Sequence, residues 1–165
     1  MADVRWLTAD EDRAWRAYLL GNQLLMDRLD RELIQHVGIP HTYYAILVVL
    51  SEQPERSLRM SEIADRLCFS KSRLTHAVGR LEERGWVERV ACTEDRRGQI
   101  AVLTAAGLDA LAAAAPTHVA GVRQHLLDRL TPAQVEQLRQ IGEAIARPLM
   151  SPSLSTACSA EAKSP

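Results

Sequence analysis

The chain has 165 residues, of which 47% are hydrophobic and 25% are charged, as is typical of a soluble globular protein. Its length excludes a large multi-domain enzyme and leaves room for one compact domain, or for a small domain with helices that pair it with a second copy. Its 20 basic and 21 acidic side chains give a net charge of -1, which excludes attraction to nucleic acid or membranes through overall charge.

The first predicted element is a long helix over residues 9–37. Thr8 and Glu11 have the spacing of a capping box, and Gly38 and Pro40 end the helix. Apolar side chains recur within it every three or four residues. A helix of roughly 28 residues spans about 42 Å, longer than a small core can cover. We therefore expect part of it to pack against a second copy, as an N-terminal dimerisation helix.

Residues 40–103 are predicted to form a winged helix-turn-helix lobe. Residues 41–52 are apolar nearly all round, and Pro40 at a first helical position favours a buried helix. Ser61 is the expected cap of a short helix, and Ser70 that of a longer helix, the recognition helix, over residues 70–84. Two helices separated by a tight turn form the helix-turn-helix pattern.

Beyond Gly85 the hydrophobic period changes to two, which predicts a two-stranded hairpin, the wing, over residues 86–103. Thr104 and Thr131 then have the patterns that cap two helices within residues 104–150, the predicted C-terminal dimerisation helices. Residues 151–165, rich in Ser, Ala and Pro, are predicted to be a disordered tail. The expected fold class is mostly α with a small two-stranded β wing.

Positive charge is concentrated in the predicted lobe. Residues 56–97 hold ten basic and seven acidic side chains, and residues 69–81 contain no carboxylate. Such a cluster in a nearly neutral chain is typical of a phosphate-binding surface. We expect the recognition helix to contact DNA through Ser70, Lys71, Ser72, Arg73, Thr75, His76 and Arg80. The alternative is a solvated helix whose charges have no binding role.

The hairpin tip carries two arginines, Arg96 and Arg97. An arginine guanidinium suits the negative potential of a narrow minor groove. Asp95 is expected to orient one of the arginines by a charge-assisted hydrogen bond. The alternative is a surface ion pair of little energetic consequence.

Five segments together resemble the MarR family of winged helix-turn-helix transcription regulators. They are Met60-Ser-Glu-Ile-Ala-Asp-Arg-Leu67, Ser70-Lys-Ser-Arg-Leu-Thr-His76, Arg80-Leu-Glu-Glu-Arg-Gly-Trp-Val87, Asp95-Arg-Arg97 and Leu103-Thr-Ala-Ala-Gly107. The resemblance covers about residues 12–148. It implies a homodimer that acts as a ligand-responsive repressor and binds double-stranded DNA at a near-palindromic operator. Arg97 would be the wing-tip arginine.

The resemblance also implies release from DNA by a small aromatic or anionic effector. Candidate residues for its cleft are Trp15, Arg16, Tyr18, His41, Tyr43 and Tyr44. The alternative, which the helical spacing of the aromatic residues favours, is that they are core residues.

Other chemistry has little support. Cys68, Cys92 and Cys158 lack metal-ligand spacing, and we expect Cys68 to be buried and Cys92, beside the wing, to be the one plausible redox-sensitive thiol. His118 and His125 lack further metal ligands at convincing spacing. A small hydrolase using one of the histidines, or a partner-binding module without DNA binding, are the alternatives to a regulator. We expect no enzyme, no cofactor, no membrane partner and a cytoplasmic location.

Overall fold

The computed structural model of the chain describes residues 4–92 and 98–149. The elements, in chain order, are α1 (Ala9–Val37), α2 (His41–Ser51), β1 (Ser57–Arg59), α3 (Met60–Arg66), α4 (Lys71–Glu83), β2 (Val87–Ala91), β3 (Gln99–Leu103), α5 (Ala105–His125) and α6 (Pro132–Ala146). Short 3-10 turns, Leu127–Arg129 and Arg147–Leu149, follow α5 and α6. This mostly helical fold with a small antiparallel sheet confirms the predicted fold class. The predicted tail, residues 151–165, lies outside the described residues.

Most of the long helices are capped at their N-terminal ends by a side-chain hydrogen bond. The Thr8 hydroxyl accepts a hydrogen bond from the Glu11 N–H at 3.2 Å, and the Glu11 carboxylate accepts one from the Thr8 N–H at 2.7 Å. Thr104 caps α5, and Thr131 forms a second capping box at α6. These local patterns are all present as predicted, because each involves residues only three positions apart.

Two predictions for the lobe are wrong. Ser61 does not cap α3, because the helix already begins at Met60 and its N-cap residue is Arg59, which ends β1. The sheet has three strands rather than two, in the order β1-β3-β2. The strand β1 pairs antiparallel with β3, with Leu58 opposite Ala101. Three residues are too few for an alternating pattern to be recognised in the sequence. The strand β1 is evident only from its pairing with β3, which is distant in the chain.

The core lies around α2, which packs against α1, α3, α4, α5 and the sheet. Ile46, Leu47 and Leu50 of α2 are completely buried. A helix covered on all sides has no polar face, which explains the apolar run in the sequence. Pro40 is the N-cap of α2 rather than its first helical residue, a one-residue correction.

Large apolar side chains are exposed on α1 and α6. On α1 they include Trp15, Leu20 and Leu24. Within the described part of the chain, α6 contains no buried residue, although Leu138 and Ile141 are apolar. In residues 4–92 and 98–149, no single helix is long and apolar enough to span a membrane; only α1 and α2 together, bent by 86°, reach the required length and composition.

A close contact at Gly107 supports a stability prediction. A Cβ added there would overlap the carbonyl oxygen of Trp86 and lie 2.7 Å from the Leu103 Cδ1 atom. Because a backbone atom must move, Gly107→Ala should lower the free energy of unfolding by about 1–3 kcal/mol. Gly79→Ala is the matched control, since a Cβ at that helical position meets no atom within 4 Å and should stabilise by up to about 1 kcal/mol. Urea denaturation of both variants measures the difference; equal stability changes would contradict it.

Candidate nucleic-acid interface

The helix α4 is oriented by its buried face. Its apolar residues, Leu74, Ala77, Val78 and Leu81, are all at most 3% exposed. The Ser70 hydroxyl caps the helix by accepting a hydrogen bond from the Arg73 N–H at 3.3 Å. The predicted cap and the predicted inward face are therefore both present. Burial of this face directs the opposite face to solvent.

The outward face of α4 carries polar and cationic groups. Its exposed side chains include Lys71, Ser72, Arg73, Thr75, His76 and Arg80. No carboxylate occurs between residue 69 and residue 81, so this face repels no phosphate along most of its length. Its ammonium, guanidinium, hydroxyl and imidazole groups can donate hydrogen bonds to base edges or phosphates.

Two of these cations already have partners in the free protein. Arg80 donates a hydrogen bond to Glu83 at 2.8 Å, which raises the pKa of Arg80. Arg73 lies over the Phe69 ring, 4.1 Å from its centroid, and donates to the Thr42 hydroxyl at 3.1 Å. Sequence reasoning missed this contact because Thr42 is 31 positions away in another helix.

A third arginine, Arg84, lies just after α4 and contacts Tyr43 of α2. The Arg84 guanidinium lies over the rings of Tyr43 and Trp86 and donates a hydrogen bond to the Gly38 carbonyl at 3.3 Å. No local pattern predicts this contact, since Arg84 follows the last helical residue. It contributes to positioning α4 relative to α2.

An ion pair joins the wing to α4. The Glu82 carboxylate accepts hydrogen bonds from the Arg89 backbone N–H at 3.0 Å and from Arg89 Nε at 2.8 Å. The hydrogen bond from the Arg89 side chain lowers the pKa of Glu82. The base of the wing is therefore fixed beside α4. Its tip, with Asp95, Arg96 and Arg97, lies outside the described residues, and the roles of these three residues remain predictions.

A polar cleft opens between α3, α4 and the wing. Its volume is about 340 Å³, and it is lined by Arg59, Met60, Ser61, Lys71, Thr75, Gly98 and Gln99. Two cationic groups beside hydroxyl and amide groups are suited to an anionic group such as a backbone phosphate. Sequence reasoning missed Arg59 and Gln99, because the β1–β3 pairing brings them to this cleft.

The candidate effector residues form two separate groups within one chain. Trp15 and Tyr18 stack on α1 with ring centroids 6.3 Å apart and are half exposed, and Arg16 donates to Asp12 at 2.8 Å. The core interpretation therefore does not describe these two aromatic residues. About 22 Å of helix, at 1.5 Å per residue, separates Trp15 from Asp30, which holds the second group.

The second group is a ring cluster where α1, α2 and α5 meet. His118 lies 5.4 Å from His41 and 4.5 Å from Tyr44, measured between ring centroids. The His41 backbone N–H donates to Asp30 at 2.8 Å. Tyr44 is 8% exposed, as the core interpretation expects, and His118 Nδ1 is buried without a hydrogen-bond partner among the described residues.

The predicted burial of Cys68 is wrong. Cys68 is exposed, and Cys92 is buried at 6% exposure. Cys68 takes a left-handed conformation, φ 52°, in the turn after α3. Cys92 follows the last residue of β2, next to the wing tip, and its N–H donates a hydrogen bond to the Gly98 carbonyl. Burial therefore argues against a redox role for Cys92. Among the described residues, no three metal-binding side chains are placed to share an ion.

The fold and the exposed cationic helix define a winged helix-turn-helix protein. Residues 37–98 match the model of the MarR family. The chain is similar to Sco3205, a MarR family transcriptional regulator from Streptomyces coelicolor solved in complex with DNA, with 48% identity, a TM-score of 0.85 and coverage of 90% of this chain and 94% of that one. It is similar to AbsC, another MarR family regulator from Streptomyces coelicolor, with 42% identity, a TM-score of 0.81 and coverage of 88% and 98%. The chain belongs to the MarR family.

Curated relatives match over shorter segments. The transcriptional regulator PapX of Escherichia coli is 35% identical over 71 residues, which are 43% of each chain. The transcriptional repressor MprA of Escherichia coli is 31% identical over 120 residues, which are 73% of this chain and 66% of MprA. The matches span about half the length of the first curated relatives, between 43% and 52%.

The ring cluster generates a prediction for pH dependence. Burial lowers the pKa of both His41 and His118, and the neighbouring charge of His41 lowers that of His118 further. Below about pH 6.5 the unfolded chain therefore binds more protons than the folded chain, and stability should fall as the pH decreases. His118→Phe keeps a ring and removes one ionisable group, so its free energy of unfolding should fall less steeply between about pH 7 and pH 5.

His76→Gln is the matched control, because it removes a histidine from the exposed face of α4. Chemical denaturation at fixed protein concentration measures each slope, since self-association would alter apparent stability. Identical slopes for the wild type and His118→Phe would contradict the prediction.

Proposed function

We propose that this protein is a sequence-specific, double-stranded DNA-binding transcriptional regulator that acts in the cytoplasm as a homodimer on a near-palindromic operator. The observation that carries the proposal is the exposed face of α4, which has no carboxylate between residues 69 and 81 and is directed outward beside the wing by burial of the opposite face. An α-helix fits the major groove, where arginine can bind guanine through two hydrogen bonds.

The surroundings of α4 support a division of contacts. The polar cleft beside Lys71 and Thr75 would receive a backbone phosphate, which positions the protein without reading sequence. Arg73 and the neighbouring polar side chains would read base edges. Arg97 at the wing tip would enter the flanking minor groove.

A second copy is supported by the apolar surface of α1 and α6. Leu138, Ile141 and Ile145 of α6 are 40–55% exposed, and Trp15 of α1 is 51% exposed. Large apolar stripes of this kind mark a protein interface, and a twofold dimer is the commonest arrangement. A dimer would present two α4 helices about 34 Å apart, one turn of DNA.

We further propose that the regulator is a repressor that responds to a small aromatic or anionic effector. The name of the MprA relative supports repression. The candidate effector residues remain Trp15, Arg16, Tyr18, His41 and Tyr44. Their two groups are far apart within one chain, so a single effector could contact both groups only in an assembly of two chains.

A catalytic function has weaker support. The relatives are named as regulators, and His41 and His118 lie against each other and Tyr44 rather than beside a nucleophile. We infer that the chain is not an enzyme. A partner-binding module without DNA contact is the alternative that a binding experiment separates.

DNA binding is tested by selecting bound fragments from the source genome and measuring their affinity against salt. If about 6–10 phosphates are neutralised, affinity should fall roughly 10³–10⁵-fold between about 50 and 200 mM salt. Arg97→Ala should weaken binding to all duplexes, whereas Arg73→Ala should mainly reduce the preference for the selected fragment. A protein that binds no fragment at low salt is not a DNA-binding regulator.

The homodimer is tested with a charge placed in the α6 stripe. Ile141→Lys should shift the protein towards monomer, because burying an unpaired ammonium is costly. Glu143→Gln changes the charge equally but removes only one exposed partner of Arg139, so it should remain dimeric. Analytical ultracentrifugation measures both; a dimeric Ile141→Lys would exclude this stripe from the interface.

A further inference from the structure

The Arg73 side chain is held in place although its residue lies on the exposed face of α4. Its guanidinium lies 4.1 Å from the centroid of the Phe69 ring, and Nη2 donates a hydrogen bond to Thr42 Oγ1 at 3.1 Å. The ring contacts the guanidinium from one side, and the hydroxyl accepts a hydrogen bond from one of its nitrogens. Together they restrain a side chain that otherwise has many rotamers.

The restraint leaves Arg73 able to bind. A guanidinium has five N–H donors, and the bond to Thr42 uses one of them. The second hydrogen of Nη2 and the donors on Nη1 and Nε remain for a two-pronged contact with a guanine edge. Arg73 can therefore read a base without leaving Thr42.

Thr42 is itself firmly placed. It lies in the first turn of α2, between His41, whose backbone N–H is bonded to Asp30 of α1, and Tyr43, whose ring packs against Arg84. Two residues further on, Tyr44 is buried against His118 of α5. The hydroxyl that holds Arg73 thus belongs to the central core helix rather than to a mobile loop.

We propose that Thr42 is a positioning residue for DNA recognition, which orders the Arg73 guanidinium before DNA binds and thereby sharpens base preference. This inference rests on the proposed DNA-binding function. Its physical basis is preorganisation: a side chain already ordered in the free protein loses less conformational entropy on binding. In this proposal Thr42 acts through Arg73, to which its hydroxyl is hydrogen-bonded.

The experiment compares Thr42→Val, which keeps the branched shape but loses the hydroxyl, with Thr42→Ser, which keeps the hydroxyl. The measured quantity is the affinity for the tightest selected genomic fragment divided by that for a random duplex of equal length. Thr42→Val should reduce this ratio roughly threefold to tenfold, the range expected for one hydrogen bond. Thr42→Ser should restore it to within about twofold, and neither variant should change the salt dependence.

Two further measurements make the result specific. In an Arg73→Ala background, Thr42→Val should have no additional effect on the ratio, because the residue it positions is absent. In the free protein, NMR relaxation of the Arg73 Nε–H should show greater motion in Thr42→Val than in the wild type. The NMR measurement needs no DNA, so it tests the ordering of Arg73 even if the proposed function fails.

An unchanged ratio in Thr42→Val, or an equal loss with and without Arg73, would overturn the proposal. So would an Arg73 side chain equally ordered in both proteins. Failure of the wild type to bind any fragment would instead reject the proposed function. If Thr42→Val does not fold, Phe69→Leu removes the ring beneath the guanidinium and should produce the same loss of ratio and of order.

Discussion

Burial of the apolar face of α4 against the core is the interaction on which the other features depend. Leu74, Val78 and Leu81 are almost completely buried, and each such side chain contributes about 1.5–3 kcal/mol relative to an exposed one. This burial sets the rotation of α4 about its axis. The same rotation brings every cationic side chain of the helix between residues 71 and 80 to the surface.

The helix α2 links this surface to the remainder of the chain. Its apolar side chains fill the core. In its first turn, Thr42 is hydrogen-bonded to Arg73, and the Tyr43 ring contacts Arg84. His41 and Tyr44 pack against His118 of α5. A displacement of α5 would therefore affect α2, which packs against α4. Through α2, a movement of α5 can therefore alter the DNA-binding surface on α4.

The apolar residues of α6 are exposed, whereas those of α4 are buried. In α4 the apolar face is covered within one chain, whereas α6 has an apolar stripe and no buried residue among those described. Such a stripe is typical of an amphipathic helix, whose apolar face packs against a partner. The polar side of α6 is occupied by Arg139, which pairs with Glu136 and Glu143. The apolar side of α6, rather than the side with these ion pairs, is therefore the one that a second chain would cover.

Features that depend on neighbours a few positions apart could be predicted from the amino-acid sequence. The caps at Thr8, Ser70 and Thr131, and the division of α4 into buried and exposed faces, follow from residue type and a period of 3.6. Three features could not be predicted in this way: the third strand β1, the burial of Cys92 and the contact between Thr42 and Arg73. Each of these depends on segments far apart in the chain, whose approach is set by packing of the whole core and leaves no local pattern.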